Sequence, residues 1–157
     1  METKYLVDFD GVILDSQARF DKDMKGHIDE DWLDYLISIK WYEFLRECDE
    51  IDDSLSSLIK LQKYKKLKGI ITAIHSMEEG KQKLIFLREN KIEAPIFYTL
   101  SGQMKNEIYI PTPDVVLVDD KPKNVENWEK ANGRALLFKP NDVTNDKKII
   151  KSLKQLL

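Results

Sequence analysis

The sequence predicts an α/β fold: a parallel five-stranded sheet flanked by helices, with a small helical insertion. Three observations carry this reading. Short apolar runs of strand length alternate with segments of helical period from Leu55 to the last residue, the pattern of a parallel α/β sheet. Two such runs end in paired acids, Asp8/Asp10 and Asp119/Asp120, as strands do when their carboxyl ends open into a site. The stretch from about Asp15 to Glu50 breaks the alternation with helix alone and reads as an insertion after the first strand.

Tyr5, Leu6 and Val7 form the first strand, an apolar run suited to burial on both faces. On an extended backbone Asp8 and Asp10 project to the same side, and Gly11 lets the chain turn sharply. In the insertion, Leu33, Ile37, Trp41, Phe44 and Cys48 recur every three or four residues. This predicts a helix from about Asp29 to Cys48, with Trp32, Leu36 and Ile39 as a second apolar line. Asp52, Asp53 and Ser54 read as a helix start, and Leu55, Leu58 and Leu61 carry that helix to about Lys66. Gly69 to Ile74 reads as the second strand. Ser76 with Glu79 fits a capping box that opens a helix from about Met77 to Asn90. Pro95 to Leu100 is the third strand, followed by a loop with Lys105; Val115 to Val118 is the fourth, ending in Asp119-Asp120. Pro122 suits a first helical position and Gly133 the helix end, with Val125 and Trp128 facing inward. Ala135 to Phe138 is the fifth strand, and a helix from about Asn145 is expected to bury Ile149, Ile150, Leu153 and Leu157.

The 157 residues suffice for one domain with a real core. The net charge of -3 argues against an extended nucleic-acid partner, which needs a basic surface, but not against a small phosphorylated substrate. No apolar run approaches the ~20 residues of a membrane span, and the N-terminus runs into the first strand with no expected signal peptide. The single cysteine, Cys48, leaves a reducing, cytoplasmic setting as the default; on its apolar stripe it reads as packing.

Four carboxylates converging at one sheet edge repel one another unless a cation sits between them, and oxygen ligands of this kind favour magnesium. Thr72 in the second strand and Lys105 beyond the third are groups suited to phosphate. With these residues in view, the chain resembles the haloacid dehalogenase (HAD) superfamily phosphatases. Asp8-Phe9-Asp10-Gly11-Val12 matches the nucleophile strand, Ile70-Ile71-Thr72 the second motif, and Val116-Leu117-Val118-Asp119-Asp120 with Asn124 the acidic fourth. Lys105 is the candidate for the third motif, with Lys81 as its rival. The resemblance covers nearly all of the chain outside the insertion. The Asp119-Asp120 pair, Asn124, Trp128, Gly133 and the run to Phe138 are most similar to the 5'-deoxyribonucleotidase branch.

The resemblance implies a three-layer, Rossmann-like sheet with strand order five-four-one-two-three. It implies a core domain of residues 1–14 and 51–157 with a cap of residues 15–50. It makes Asp8 the nucleophile, Asp10 the general acid and base, Thr72 a hydrogen-bond donor to the phosphoryl oxygens, and Lys105 the charge that neutralises Asp8 and the phosphoryl group. Gly11, Thr72, Ala73 and Lys105 become substrate contacts. Asp8, Asp10, Asp119 and Asp120 become magnesium ligands, Asp10 through its backbone carbonyl. The implied activity is hydrolysis of a small phosphate monoester, a nucleoside monophosphate ahead of a sugar phosphate. A polynucleotide 3'-phosphatase and a non-catalytic phosphate-binding or regulatory protein are the rival readings. His75 reads as a partner for nearby backbone, or else as a substrate contact, and His27 has no assigned role. Trp32, Trp41 and Tyr42 are candidates to stack on a base, against the plainer reading of a helical core stripe.

Overall fold

An apolar run that does not alternate has to be covered on both sides, and Lys4–Asp8 (β1) sits at the centre of the sheet. The computed structural model describes residues 1–25 and 31–157. After β1 come α1 (Ser16–Asp23), α2 (Trp32–Ser38), α3 (Trp41–Glu47) and α4 (Ser54–Lys63). There follow β2 (Leu67–Ile74), α5 (Met77–Glu89), β3 (Ile96–Leu100), α6 (Lys105–Ile108), β4 (Val115–Asp119), α7 (Pro122–Lys130) and β5 (Arg134–Phe138). β6 (Ile149–Ile150) and a 3-10 helix (Leu153–Leu156) close the chain.

The sheet runs β3-β2-β1-β4-β5-β6, parallel throughout. The first five strands stand in the expected order. The sixth replaces the expected C-terminal helix. Asp142 accepts from the amide and hydroxyl of Thr144, and Asp146 accepts from the Lys148 amide. Such local side-chain bonds compete with a helical start. Ile150, Leu153 and Leu156 are buried, whereas Leu157 is exposed.

Side-chain alternation along the strands divides the core into two layers. Val7, Ile70 and Val118 pack on one face with Phe44, Leu45, Leu58, Leu61, Phe86 and Leu87. Leu6, Ile71 and Leu117 pack on the other with Trp128, and Tyr109 stacks on that indole.

The insertion is built of separate short helices. The expected start near Asp29, and His27, lie outside the described residues. Ile39 adopts an extended conformation (ψ 128°) that ends α2 and sets α3 on a new axis. The single stripe is therefore broken: Trp41 and Phe44 are buried, while Leu33 and Ile37 are 66% and 76% exposed. Phe20 of α1 gathers the aromatics instead, meeting Trp32, Tyr35 and Phe44 with ring centroids 5.4, 6.2 and 5.0 Å away. The two ends of the insertion lie side by side: Leu14 bridges Glu50, and the Asp15 amide donates to the Asp49 carbonyl at 2.9 Å.

Candidate active site

In a parallel sheet every carboxyl end lies on one edge, so the acids that close β1 and β4 are brought together by topology. β1 pairs with β4 in the register Val7 to Val118, which sets Asp8 beside Asp119. Both are buried. One oxygen from each of Asp8, Asp119 and Asp120 lies within 4.8 Å of the others. Gly11 makes room for this: its φ of 81° turns the chain, and a Cβ there would lie 2.0 Å from Asp120 Oδ2.

Lys105 enters from the first turn of α6. Its buried ammonium donates to Asp8 Oδ1 at 2.7 Å and to Asp119 Oδ2 at 2.6 Å. Asp119 also accepts from the Lys121 amide and, at 3.1 Å, from Asn124 Nδ2. The geometry thus separates the two lysine candidates: Lys105 joins the acids, and Lys81 is solvent-exposed on α5.

These contacts fix the charge balance. Burial, with Asp119 next, pushes the Asp8 carboxyl well above its ordinary value, against the pull of Lys105. Burial likewise raises Asp120. Burial opposes the charge of Lys105, yet Asp8 and Asp119 outweigh it and hold the ammonium above its ordinary value. Fully ionised, the three carboxylates would outweigh the one ammonium by two negative charges, and burial makes that excess costly. Asp120 Oδ1 is buried without a hydrogen-bond partner. An all-oxygen donor set with that excess charge and an orphaned carboxylate oxygen fits a divalent cation of the magnesium type. The Asp10 carboxylate stands apart from this set. It is taken by Ser16 Oγ at 2.5 Å and Lys83 Nζ at 2.8 Å.

Lys83 is the functional candidate that sequence reasoning missed. It is fully buried in α5 and donates to Asp10, Thr72 Oγ1 and the Ala73 carbonyl. A signal was present: Glu79 and Lys83 are spaced by four and share one helical face, and His75 stands four residues before Glu79, just after the Thr72 strand. The expected capping box is half formed. Ser76 Oγ caps the Glu79 amide, but the Glu79 carboxylate reaches the His75 amide and ring. Burial opposes ionisation of Glu79, and the His75 bonds and Lys83 outweigh it, holding Glu79 below its ordinary value. For Asp10, too, burial pulls upward and Lys83 wins, keeping that carboxyl below its ordinary value.

These groups open on a cavity of about 1050 Å³. Asp10, Gly11, Ala73 and Lys105 line it, as do Phe20 and Trp32 of the insertion. Thr72 is buried beneath Ala73 and held by Lys83. His75 lines the cavity too, paired with Glu79. Trp41 is core, and Tyr42 stacks on Arg46 at the surface, away from the cavity-lining residues.

The sequence matches no family model and no curated protein. Solved structures do match its fold. A HAD-superfamily hydrolase from Ehrlichia chaffeensis superposes with a TM-score of 0.53 at 11% identity, over 99% of this chain and 95% of that one. A HAD hydrolase, family IA, variant 3, from Entamoeba histolytica superposes with a TM-score of 0.56 at 14% identity, over the same shares. The chain therefore has the fold of the HAD-superfamily hydrolases.

Proposed function

We propose that this protein is a magnesium-dependent phosphomonoester hydrolase that works through an aspartyl-phosphate on Asp8. The observation that carries the reading is the meeting, at one sheet edge, of Asp8, Asp119, Asp120 and Lys105 beside Asp10. An Asp8 carboxylate oxygen attacks phosphorus and the ester P–O bond breaks. The leaving oxygen takes its proton from Asp10, which then accepts a proton from the water that attacks the same phosphorus. The Asp8–phosphate bond breaks, and inorganic phosphate leaves. Asp8, Asp119 and Asp120 would hold the cation, whose charge lets an anionic nucleophile approach an anionic phosphate. Lys105 and the Thr72 hydroxyl offset charge on the phosphoryl oxygens.

The same reading takes residues 15–50 as the cap over a core of 1–14 and 51–157, supported by the pairing of Leu14 with Glu50 at the junction. The cavity suits a small phosphate ester, and Phe20 and Trp32 along its side favour a planar group, hence a (deoxy)nucleoside monophosphate. The cavity's aromatic residues alone support that refinement. One half-buried cysteine and no disulfide suit a reducing cytoplasm. Among the described residues no helix is long and apolar enough to cross a membrane.

The test is phosphate release from nucleoside monophosphates, sugar phosphates and a 3'-phosphorylated oligonucleotide, with magnesium and with chelator. Magnesium-dependent turnover that favours nucleoside monophosphates is expected. Preference for the oligonucleotide overturns the small-substrate reading, and no turnover of any ester overturns the enzyme.

A further inference from the structure

Lys83 lies wholly inside the protein, 0% exposed, with Nζ 2.8 Å from Asp10 Oδ2, 2.9 Å from Thr72 Oγ1, 3.1 Å from the Ala73 carbonyl and 2.7 Å from Glu79 Oε2. An ammonium has three protons to donate and accepts nothing. Four acceptors therefore share three protons, and Thr72 Oγ1 must be accepting from Lys83. Its own O–H proton is left to donate, here weakly to the Ala73 carbonyl at 3.3 Å. Asp10 is held from both sides, by Lys83 on Oδ2 and by Ser16 on Oδ1 at 2.5 Å. Glu79 is itself anchored, since its Oε1 meets the His75 amide at 2.8 Å and the His75 ring at 2.9 Å.

A fold gains little from such a charge: replacing a buried ion pair by well-packed apolar groups is often neutral or stabilising. What this ammonium does is orient two side chains of the candidate site at once. We infer that Lys83, braced by Glu79, is a positioning residue that aims the Asp10 carboxyl at the leaving oxygen and, by filling the acceptor side of the Thr72 hydroxyl, fixes that hydroxyl as a donor. The inference rests on the phosphomonoesterase reading. In the step concerned, Asp10 takes up a proton as the anionic ester binds beside it, and passes it to the ester oxygen as the P–O bond to that oxygen breaks and the bond to Asp8 forms.

Misplacing Asp10 harms esters in proportion to their need for that proton. The experiment measures kcat/KM, which reports phosphoryl transfer to Asp8, for p-nitrophenyl phosphate and for a panel of alkyl phosphates. Nitrophenolate leaves without a proton, and an alkoxide does not. Lys83→Met is expected to lower kcat/KM for alkyl esters about 100-fold more than for the aryl ester, within the range that positioned proton transfer supplies. Because Lys83→Met strands the buried Glu79 carboxylate, K83M/E79L, which removes both members of the pair, and the milder Glu79→Gln accompany it; both are expected to shift selectivity in the same direction. A structural role alone lowers both ester classes equally, and that result, or an unchanged ratio, overturns the inference. So does a wild type that cleaves the aryl ester and no alkyl ester. Wild-type protein inactive on every ester fails at the earlier stage and overturns the phosphatase reading itself.

Discussion

The proposed mechanism asks Asp8 to be two things that oppose each other, a buried residue and a charged nucleophile. Burial and Asp119 push its carboxyl well above its ordinary value, with only Lys105 pulling the other way. Asp8→Asn removes the charge and keeps the shape, so activity and stability should move apart. Turnover should fall by about 10³-fold or more, while metal-free stability in urea holds or rises. A variant that is both active and less stable would contradict the assignment. Lys105→Met should lower turnover by about 10²-fold or more, and Lys81→Ala should match wild type, because Lys81 lies on the exposed side of α5. Glu79 carries a pH dependence. Its folded value lies below the ordinary 4.5, so it ionises in the folded protein before it does in the unfolded chain. The stability it adds is complete above that ordinary value and fades as pH falls through the lower folded one. The stability gap between wild type and Glu79→Gln should therefore close in acid; a gap that stays constant down to full protonation would show that charge is not its source.

At the scale of the element, the strongest constraints come from close approach. Gly133 follows α7, yet the left-handed turn is made by Asn132, with φ 65°. Gly133 is needed for space: a Cβ there would stand 2.4 Å from the Trp128 indole. Gly133→Ala should lower stability by about 1–3 kcal/mol in urea unfolding, with the slope unchanged. An unaffected midpoint would show that the indole moves freely. In the insertion, Phe44 is the ring that ties α3 to Phe20 of α1 and to the sheet core. Its replacement by alanine should cost about 3–5 kcal/mol. α5 combines both kinds of work, with Phe86 and Leu87 packed in the core and Lys83 and Glu79 facing the site.

For the molecule as a whole, the excess of negative charge at the sheet edge is a store of repulsion that a cation relieves. At a hundred times its Kd, magnesium should add about 2.7 kcal/mol, a rise in Tm of roughly 5–10 °C for a chain of this size. In Asp119→Asn the rise should shrink or vanish. Equal metal stabilisation of the two proteins would place the cation elsewhere. The cavity is lined both by Asp10, Lys105 and Asp120 at the sheet edge and by Phe20 and Trp32 of the insertion.

Whatever depends on near neighbours along the chain is legible in the residues alone. Apolar runs and their spacing marked the first five strands and the core helices, and the acids after Val7 and Val118 marked the edge where the site lies. The tertiary structure decided what depends on partners distant in sequence. A helical stripe cannot show that Ile39 will turn the chain and leave Leu33 and Ile37 in solvent, because its period reports one axis only. The last strand was hidden because Ile149-Ile150 is too short to show a period, and its pairing with Leu137 and Phe138 comes from β5. Lys105 could be told from Lys81 only once the fold had closed a gap of 97 residues to Asp8. Lys83 escaped notice because a lysine in a helix is ordinarily solvated; what makes it unusual is Asp10, 73 residues earlier in the chain and 2.8 Å away in space.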